Sequence, residues 1–168
     1  MLNDLIIRIE MVGQFEKPIF IHKFRSMYSN AHEDFEKIVE QNGMDNIGKP
    51  ANDSRITPFG KLIRKYFIDE IPQFYDLAIG NLSLVGIRPK TKEYWKNYSK
   101  EFKECALKYK PGLVGVHYFY LDHRDFKDIM QTEKEYLKRT EMEGKDKTDR
   151  KYLKKIFENI ILNGLRSR

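Results

Sequence analysis

The stretch DSRITPFGKLIRKYFIDEIPQFYDLAIGNLSLVGIRP, Asp53 to Pro89, carries most of the information about how this chain folds and what chemistry it can hold. Thr57-Pro58 sets a capping hydroxyl ahead of a proline at the first helical position, which starts a helix. Phe59, Leu62, Ile63 and Tyr66 then recur as one apolar face and leave Lys61, Arg64 and Lys65 largely on the other side. A second short helix is expected to open near Asp69, to tolerate Pro72 in its first turn, and to end before Gly80. Leu82 to Val85 reads as a short strand that delivers Gly86-Ile87-Arg88-Pro89 into a turn. The fold class is α/β (α+β), with a small strand element and several amphipathic helices.

The same stretch sets an acidic pair, Asp69-Glu70, between Arg55, Lys61, Arg64 and Lys65 upstream and Arg88 downstream. Acidic residues at a helix start have an ordinary role, complementing the helix dipole. Among fixed cations they acquire another. Guanidinium groups clamp phosphate oxygens in bidentate fashion, and a carboxylate beside them can hold magnesium or attack phosphorus. Lys61 and Lys65 read as a solvated or headgroup-facing surface. Arg55 and Arg88, each in a turn-like setting, read as phosphate clamps or salt-bridge partners of the acidic pair.

Working outward, LIIRIEMV and PIFIHKF flank GQFEK and read as two strands joined by a short turn. Lys23 and Arg25 would share one strand face. Ser29 to Gln41 is predicted as a helix stopped by Asn42-Gly43, and Met44 to Asp53 as a loop with the character of a lid. Downstream, Thr91 to Tyr109 reads as one amphipathic helix with Tyr94, Trp95, Tyr98, Phe102, Ala106 and Tyr109 inward. Gly112 to Leu121 is strand-like, Asp122 caps a further helix, and Lys147 to Leu162 is a final amphipathic helix. No repeat or linker interrupts the chain, so residues 1–168 are expected to form one domain.

The chain has 168 residues, long enough for one core, of which 40% are hydrophobic and 33% charged. A mean hydropathy of −0.65 argues against an integral membrane protein. A net charge of +6 favours anionic partners. Single Cys105 excludes an intrachain disulfide and reads as a small packed residue. His22, His32, His117 and His123 lack paired zinc-ligand spacing, and neither a G-x-G-x-x-G nor a Walker lysine motif is present. Asp4, Arg8 and Glu10 fall where a signal peptide would need its apolar core.

Five segments in order, KFRSM at 23–27, DSRITPFGKLIRK at 53–65, IDEIPQ at 68–73, GIRP at 86–89 and KPGLVG at 110–115, resemble the catalytic core of bacterial sugar transferases. These are the monotopic polyprenyl-phosphate phosphoglycosyl transferases, and the resemblance covers roughly residues 17 to 116. It implies transfer of a sugar phosphate from a nucleotide diphosphosugar to polyprenyl phosphate, initiating lipid-linked glycan synthesis. Asp69 matches the nucleophile and Glu70 its carboxylate partner, the two together implicated with magnesium (Mg2+). Lys23, Arg25, Arg55, Arg64, Gln73 and Arg88 are the phosphate- and substrate-binding candidates. The resemblance also implies an anionic membrane surface as a partner, on the cytoplasmic face, with no nucleic acid. Family members usually begin with a hydrophobic re-entrant helix. This sequence starts about where that helix would end, so the anchor is either trimmed or naturally absent and the chain itself is expected to be soluble. After Gly115 the sequence VHYFYLDHRDF departs from the family pattern, with Arg124 a candidate replacement for a family arginine. The alternative reading is an anchorless, non-catalytic homologue that binds a nucleotide sugar or a partner transferase.

Overall fold

A computed structural model describes residues 5–29, 31, 35–43, 45–46, 50–121 and 125–165. The first two runs of branched and aromatic residues form the expected hairpin: β1 (Ile6–Val12) pairs antiparallel with β2 (Pro18–Phe24), Ile9 opposite Ile21. A single 3-10 turn, Gln14–Glu16, joins them. Alternation buries Ile21 with Leu82 and Leu113, and Ile9, Met11, Ile19 and Leu77 pack against them. Strand geometry ends at Phe24, so Arg25 lies beyond the element that was expected to put it on Lys23's face. Its backbone N–H donates to the Leu5 carbonyl at 2.7 Å.

Next along the chain, α1 spans Phe35–Asn42, shorter than the predicted 29–41 helix, because Ser29 and Ala31 lie in turns. Residues 30 and 32–34 of that prediction lie outside the described residues. α2 (Pro58–Lys65) begins as expected, with the Thr57 hydroxyl accepting from the Gly60 N–H at 2.8 Å. Its expected inward face is turned out: Phe59 is 67% exposed, Leu62 54% and Tyr66 49%, and only Ile63 is buried. The reason is Gly60. A Cβ there would lie 1.9 Å from the Ser26 carbonyl oxygen, so the helix docks through its glycine. Arg64, one turn on, is drawn inward with it.

The predicted second helix is two elements. Phe67 takes a left-handed φ of 59° and turns the chain into a 3-10 turn at Ile68–Glu70. Pro72 then starts α3 (Gln73–Ala78), which stops at Gly80 with φ +81°. α3 repeats the inversion seen in α2. Gln73 and Asp76 are fully buried, whereas Phe74 and Tyr75 are 60% and 59% exposed.

β3 (Ser83–Gly86) runs parallel to β4 (Gly112–Gly115), with Val85 opposite Val114. Their connection was predicted as one helix and is two, α4 (Lys92–Trp95) and α5 (Lys100–Ala106). The Ser99 hydroxyl accepts from the Phe102 N–H and offers the backbone a cap mid-sequence. The predicted inner residues Trp95, Tyr98, Phe102 and Ala106 are nonetheless buried. The strand ends at Gly115, not Leu121, and Val116–Phe119 coils into a 3-10 turn.

Two long helices close the structure, α6 (Phe126–Glu143) and α7 (Lys145–Ile161). Asp122 lies outside the described residues, and Asp125 caps α6 through a capping box with Asp128. Tyr136, Tyr152 and Ile156, each no more than 1% exposed, seal the main core from this side. Full burial of such side chains stabilises by roughly 1.5–3 kcal/mol each. No helix of the described residues is long and apolar enough to cross a membrane.

Candidate active site

The 3-10 turn at Ile68–Glu70 presents two adjacent carboxylates to very different surroundings. Glu70 Oε2 accepts from Arg88 Nη1 at 2.8 Å, and Oε1 accepts from Arg88 Nη2 and from Lys23 Nζ, the latter at 3.1 Å. The Arg88 Nη1 group also donates to the Leu113 carbonyl at 2.6 Å, which fixes the guanidinium against β4. Burial works to raise the Glu70 carboxyl, but the charges and hydrogen bonds of Arg88 and Lys23 outweigh it and hold the pKa at about 2. Arg88 is pushed up: burial opposes its charge, and Glu70 more than compensates.

Asp69 is only 6% exposed and makes no direct ion pair among the described residues. Its carboxyl is raised above the usual range by burial, reinforced by the charge of Glu70, while Lys23, Arg64 and Arg88 pull it down only in part. Arg64 stands on the α2 side, its Nε donating to the buried Ser26 hydroxyl at 2.8 Å. Burial lowers its pKa against the pull of Asp69. Asp69 is therefore a desolvated carboxylate in a field of cations, not locked by any of them. Burial of that kind makes a carboxylate a stronger nucleophile than it is in water.

The other sequence-predicted residues are distributed around this pair. Gln73, which follows Glu70 by one turn, is fully buried, and neither of its side-chain amide atoms has a hydrogen-bond partner among the described residues. Arg55 is held on its own loop, with Nε and Nη2 donating to Asp53 at 2.8 and 2.7 Å and Nη1 to the Ala31 carbonyl at 3.0 Å. Arg55 and Asp53 lie near enough to Arg64 to act on its charge in opposite senses. Arg124 lies outside the described residues.

Two polar pairs were not anticipated. His22 Nδ1 donates to Asp76 Oδ1 at 2.8 Å, and its backbone N–H donates to Asp76 Oδ2 at 2.7 Å, tying β2 to α3. Lys90 Nζ donates to Glu133 Oε1 at 2.6 Å, and the Tyr98 hydroxyl donates to Glu133 Oε2 at 2.9 Å, tying the loop after β3 to α6. The second pair left a trace in the sequence. Glu133 falls on the same stripe as Thr132, Tyr136, Leu137 and Thr140, where a charge needs a buried partner.

The donor set fits magnesium. That ion is usually held by one or two carboxylates and completed by water and substrate phosphates. Glu70 Oε2 accepts a single hydrogen bond, so it retains a lone pair, and Asp69 has no direct ion pair among the described residues.

The sequence matches the family described as bacterial sugar transferase over residues 3–158. It is 36% identical over 131 residues to the galactosyl transferase CpsE of Streptococcus agalactiae, covering 75% of this chain and 28% of that protein. It is 32% identical over 116 residues to a UDP-glucose:undecaprenyl-phosphate glucose-1-phosphate transferase of Klebsiella pneumoniae, covering 68% of this chain and 23% of the relative. A UDP-N-acetylgalactosamine-undecaprenyl-phosphate N-acetylgalactosaminephosphotransferase of Aeromonas hydrophila is 29% identical over 133 residues, 76% of this chain and 29% of its own. The chain thus spans between a fifth and a third of the length of these relatives.

Proposed function

The chain belongs to the bacterial sugar transferase family, and from that premise we propose that it transfers a sugar 1-phosphate from a nucleotide diphosphosugar to a polyprenyl phosphate through a phospho-aspartyl intermediate on Asp69. The observation that carries this reading is the asymmetry of the acidic pair: Glu70 is ion-paired with Arg88 and Lys23, while Asp69 is buried beside the same cations without a direct ion pair among the described residues. Relatives whose names specify UDP-sugar donors and an undecaprenyl-phosphate acceptor support the substrate classes.

In the first half-reaction an Asp69 carboxylate oxygen attacks the β-phosphorus. The bond from phosphorus to the bridging oxygen breaks, and the nucleoside monophosphate leaves with that electron pair. Lys23, Arg64 and Arg88 neutralise charge that builds on the phosphoryl oxygens. Glu70 holds Arg88 and Lys23 in place, and Gln73, expected among the substrate-binding residues, is instead shut off from solvent behind the acidic turn. Magnesium, held by Glu70 and Asp69, would supply further charge neutralisation at the phosphates. In the second half-reaction a polyprenyl phosphate oxygen attacks the same phosphorus, and the Asp69 carboxylate leaves.

The acceptor is a lipid, and outward-facing apolar residues flank the acidic turn in sequence. Phe59 and Leu62 of α2, Ile71, and Phe74, Tyr75 and Ile79 of α3 are each more than half exposed. Residues that a water-soluble domain would bury are thus displayed on both sides of the acidic turn, with Lys61 and Lys65 nearby in sequence. This display supports binding to an anionic membrane surface with the acidic pair facing the headgroup region.

The test is the first half-reaction. Incubated with magnesium and a panel of UDP-sugars, the protein is expected to gain a phosphosugar mass on the peptide that contains Asp69, without lipid. An adduct on another residue sinks the mechanism, and no adduct with any donor favours a non-catalytic binding module.

A further inference from the structure

The acidic turn is braced from the far end of the chain. Phe67, whose left-handed backbone aims the Ile68–Glu70 turn, meets the Tyr118 ring edge-on at a centroid distance of 5.4 Å. The Tyr118 phenol also lies close enough to Arg88 to contribute to the field on its guanidinium. The backbone just before it is pressed against the same arginine, since a Cβ on Gly115 would come within 2.5 Å of Arg88 Cγ. The segment Gly115–Tyr118 therefore touches both halves of the site, the turn that carries the carboxylates and the cation that holds Glu70.

The position of this segment is set by α7. Asn159, fully buried, donates from Nδ2 to the Tyr118 carbonyl at 3.0 Å and to the Phe119 carbonyl at 2.8 Å. Its Oδ1 accepts from Asn163 Nδ2 at 3.2 Å, which holds the amide in that orientation. Tyr152, two turns earlier on α7, packs its ring on Phe119 at 4.3 Å. One forked side chain thus satisfies two consecutive carbonyls of a 3-10 turn that has no ladder of its own.

We propose that Asn159 is a positioning residue for the acidic pair: by pinning the backbone at Tyr118 and Phe119 it fixes Phe67 and Arg88, and through them the geometry of Asp69 and Glu70. The consequence for mechanism rests on the transferase reading above, but the structural coupling does not. Displacement of a reacting group by about 1 Å can cost on the order of a hundredfold in rate, so a brace that touches no substrate can still control turnover.

The experiment records 1H–15N spectra of the full chain in wild type, Asn159→Leu and Tyr118→Leu, read at the backbone amides of Phe67 to Ile71 and at the Arg88 Nε–H. It is paired with the rate of phosphosugar adduct formation at saturating UDP-sugar. The expected result is displaced resonances at both places in both variants, adduct formation slowed by about tenfold or more, and little change in the donor concentration needed for half-saturation. Unmoved resonances in a cooperatively folding variant overturn the proposal, as does a loss carried wholly by the donor concentration for half-saturation. If Asn159→Leu does not fold, Tyr118→Leu decides alone. If wild type forms no adduct, the transferase reading fails and the spectra still decide the coupling.

Discussion

Pro89 separates two buried ionic clusters that solve opposite problems. On one side Arg88 reaches Glu70, joined by Asp69, Lys23 and Arg64. On the other, Lys90 reaches Glu133 and Tyr98 between α4 and α6. The Lys90 cluster is closed: one acid, one base and one hydroxyl, with the ammonium also 5.3 Å from the Trp95 ring centroid. The Asp69 cluster is left open. Its second carboxylate is buried without a locked partner, and its charges come from β2, α2, the acidic turn and the loop after β3. A closed cluster fixes architecture; an open one keeps a reactive group available and pays for it in stability.

The largest expected effect tests that openness. Asp69→Asn should abolish adduct formation, because an amide cannot serve as the anionic nucleophile. It should not destabilise the fold. The Asp69 pKa is raised in the folded state, so its contribution is favourable only below its ordinary titration range and is lost as pH rises through the folded value. At neutral pH the ionised group opposes folding, and Asn is expected to leave the melting temperature unchanged or higher. A marked fall in melting temperature would show Asp69 to be a structural charge.

Removing one partner of the closed cluster should do the reverse. Lys90→Met strands Glu133, which is fully buried, and a buried charge without its partner costs about 3–5 kcal/mol. Lys90→Met combined with Glu133→Leu and Tyr98→Phe removes every polar member and should recover most of that loss in urea denaturation. If the triple variant is no better than Lys90→Met alone, the cluster is more than a satisfied ion pair.

Glu70 stands between the two cases, since it belongs to the open cluster but is itself ion-paired. Its pKa falls from 4.5 to about 2, which corresponds to roughly 3 kcal/mol at neutral pH. Because the folded value is the depressed one, this contribution is present above the ordinary glutamate pKa and disappears as pH falls toward 2. The stability gap between wild type and Glu70→Gln, measured by urea denaturation at successive pH values, should narrow along that descent. A gap independent of pH would mean that the amide loses shape or hydrogen bonding, not charge.

These clusters also mark what could be read from the chain. Asp69, Glu70 and Arg88 sit inside ordered landmarks, so their association was legible before any coordinate. Lys90 and Glu133 are 43 residues apart, and His22 and Asp76 are 54 apart; the stripe around Glu133 shows that it needs a partner, but no local pattern says which residue answers. Periodicity groups Phe59, Leu62, Ile63 and Tyr66 on one side of α2, yet only Ile63 of the four is buried, because periodicity carries no information on which side faces the core. That was decided by Gly60 against the Ser26 carbonyl, a long-range contact of a residue with no side chain. The 91–109 helix failed for a local reason that was visible, the capping hydroxyl of Ser99. The last turn of the site, Val116–Phe119, depends on Asn159 from the opposite end of the chain and left no signature in its own sequence.

The smallest expected effect on stability concerns the inverted face of α2, and it discriminates sharply between uses of apolar surface. Phe59 and Leu62 are 67% and 54% exposed, so Phe59→Ser with Leu62→Ser removes little buried area and should change folding stability by no more than about 0.5 kcal/mol per site. If that face meets lipid, the same substitutions should weaken flotation of the protein with anionic vesicles, and added salt should release the wild type because basic residues share the attachment. The half-reaction with a soluble UDP-sugar should proceed at the wild-type rate, since both side chains point to solvent and neither has a part in that step, while transfer to polyprenyl phosphate in vesicles should fall. Equal flotation of variant and wild type would remove the membrane from the account of α2 and leave its exposed aromatic ring to a protein partner. A stability loss of several kcal/mol would instead show that the face is covered in the folded state.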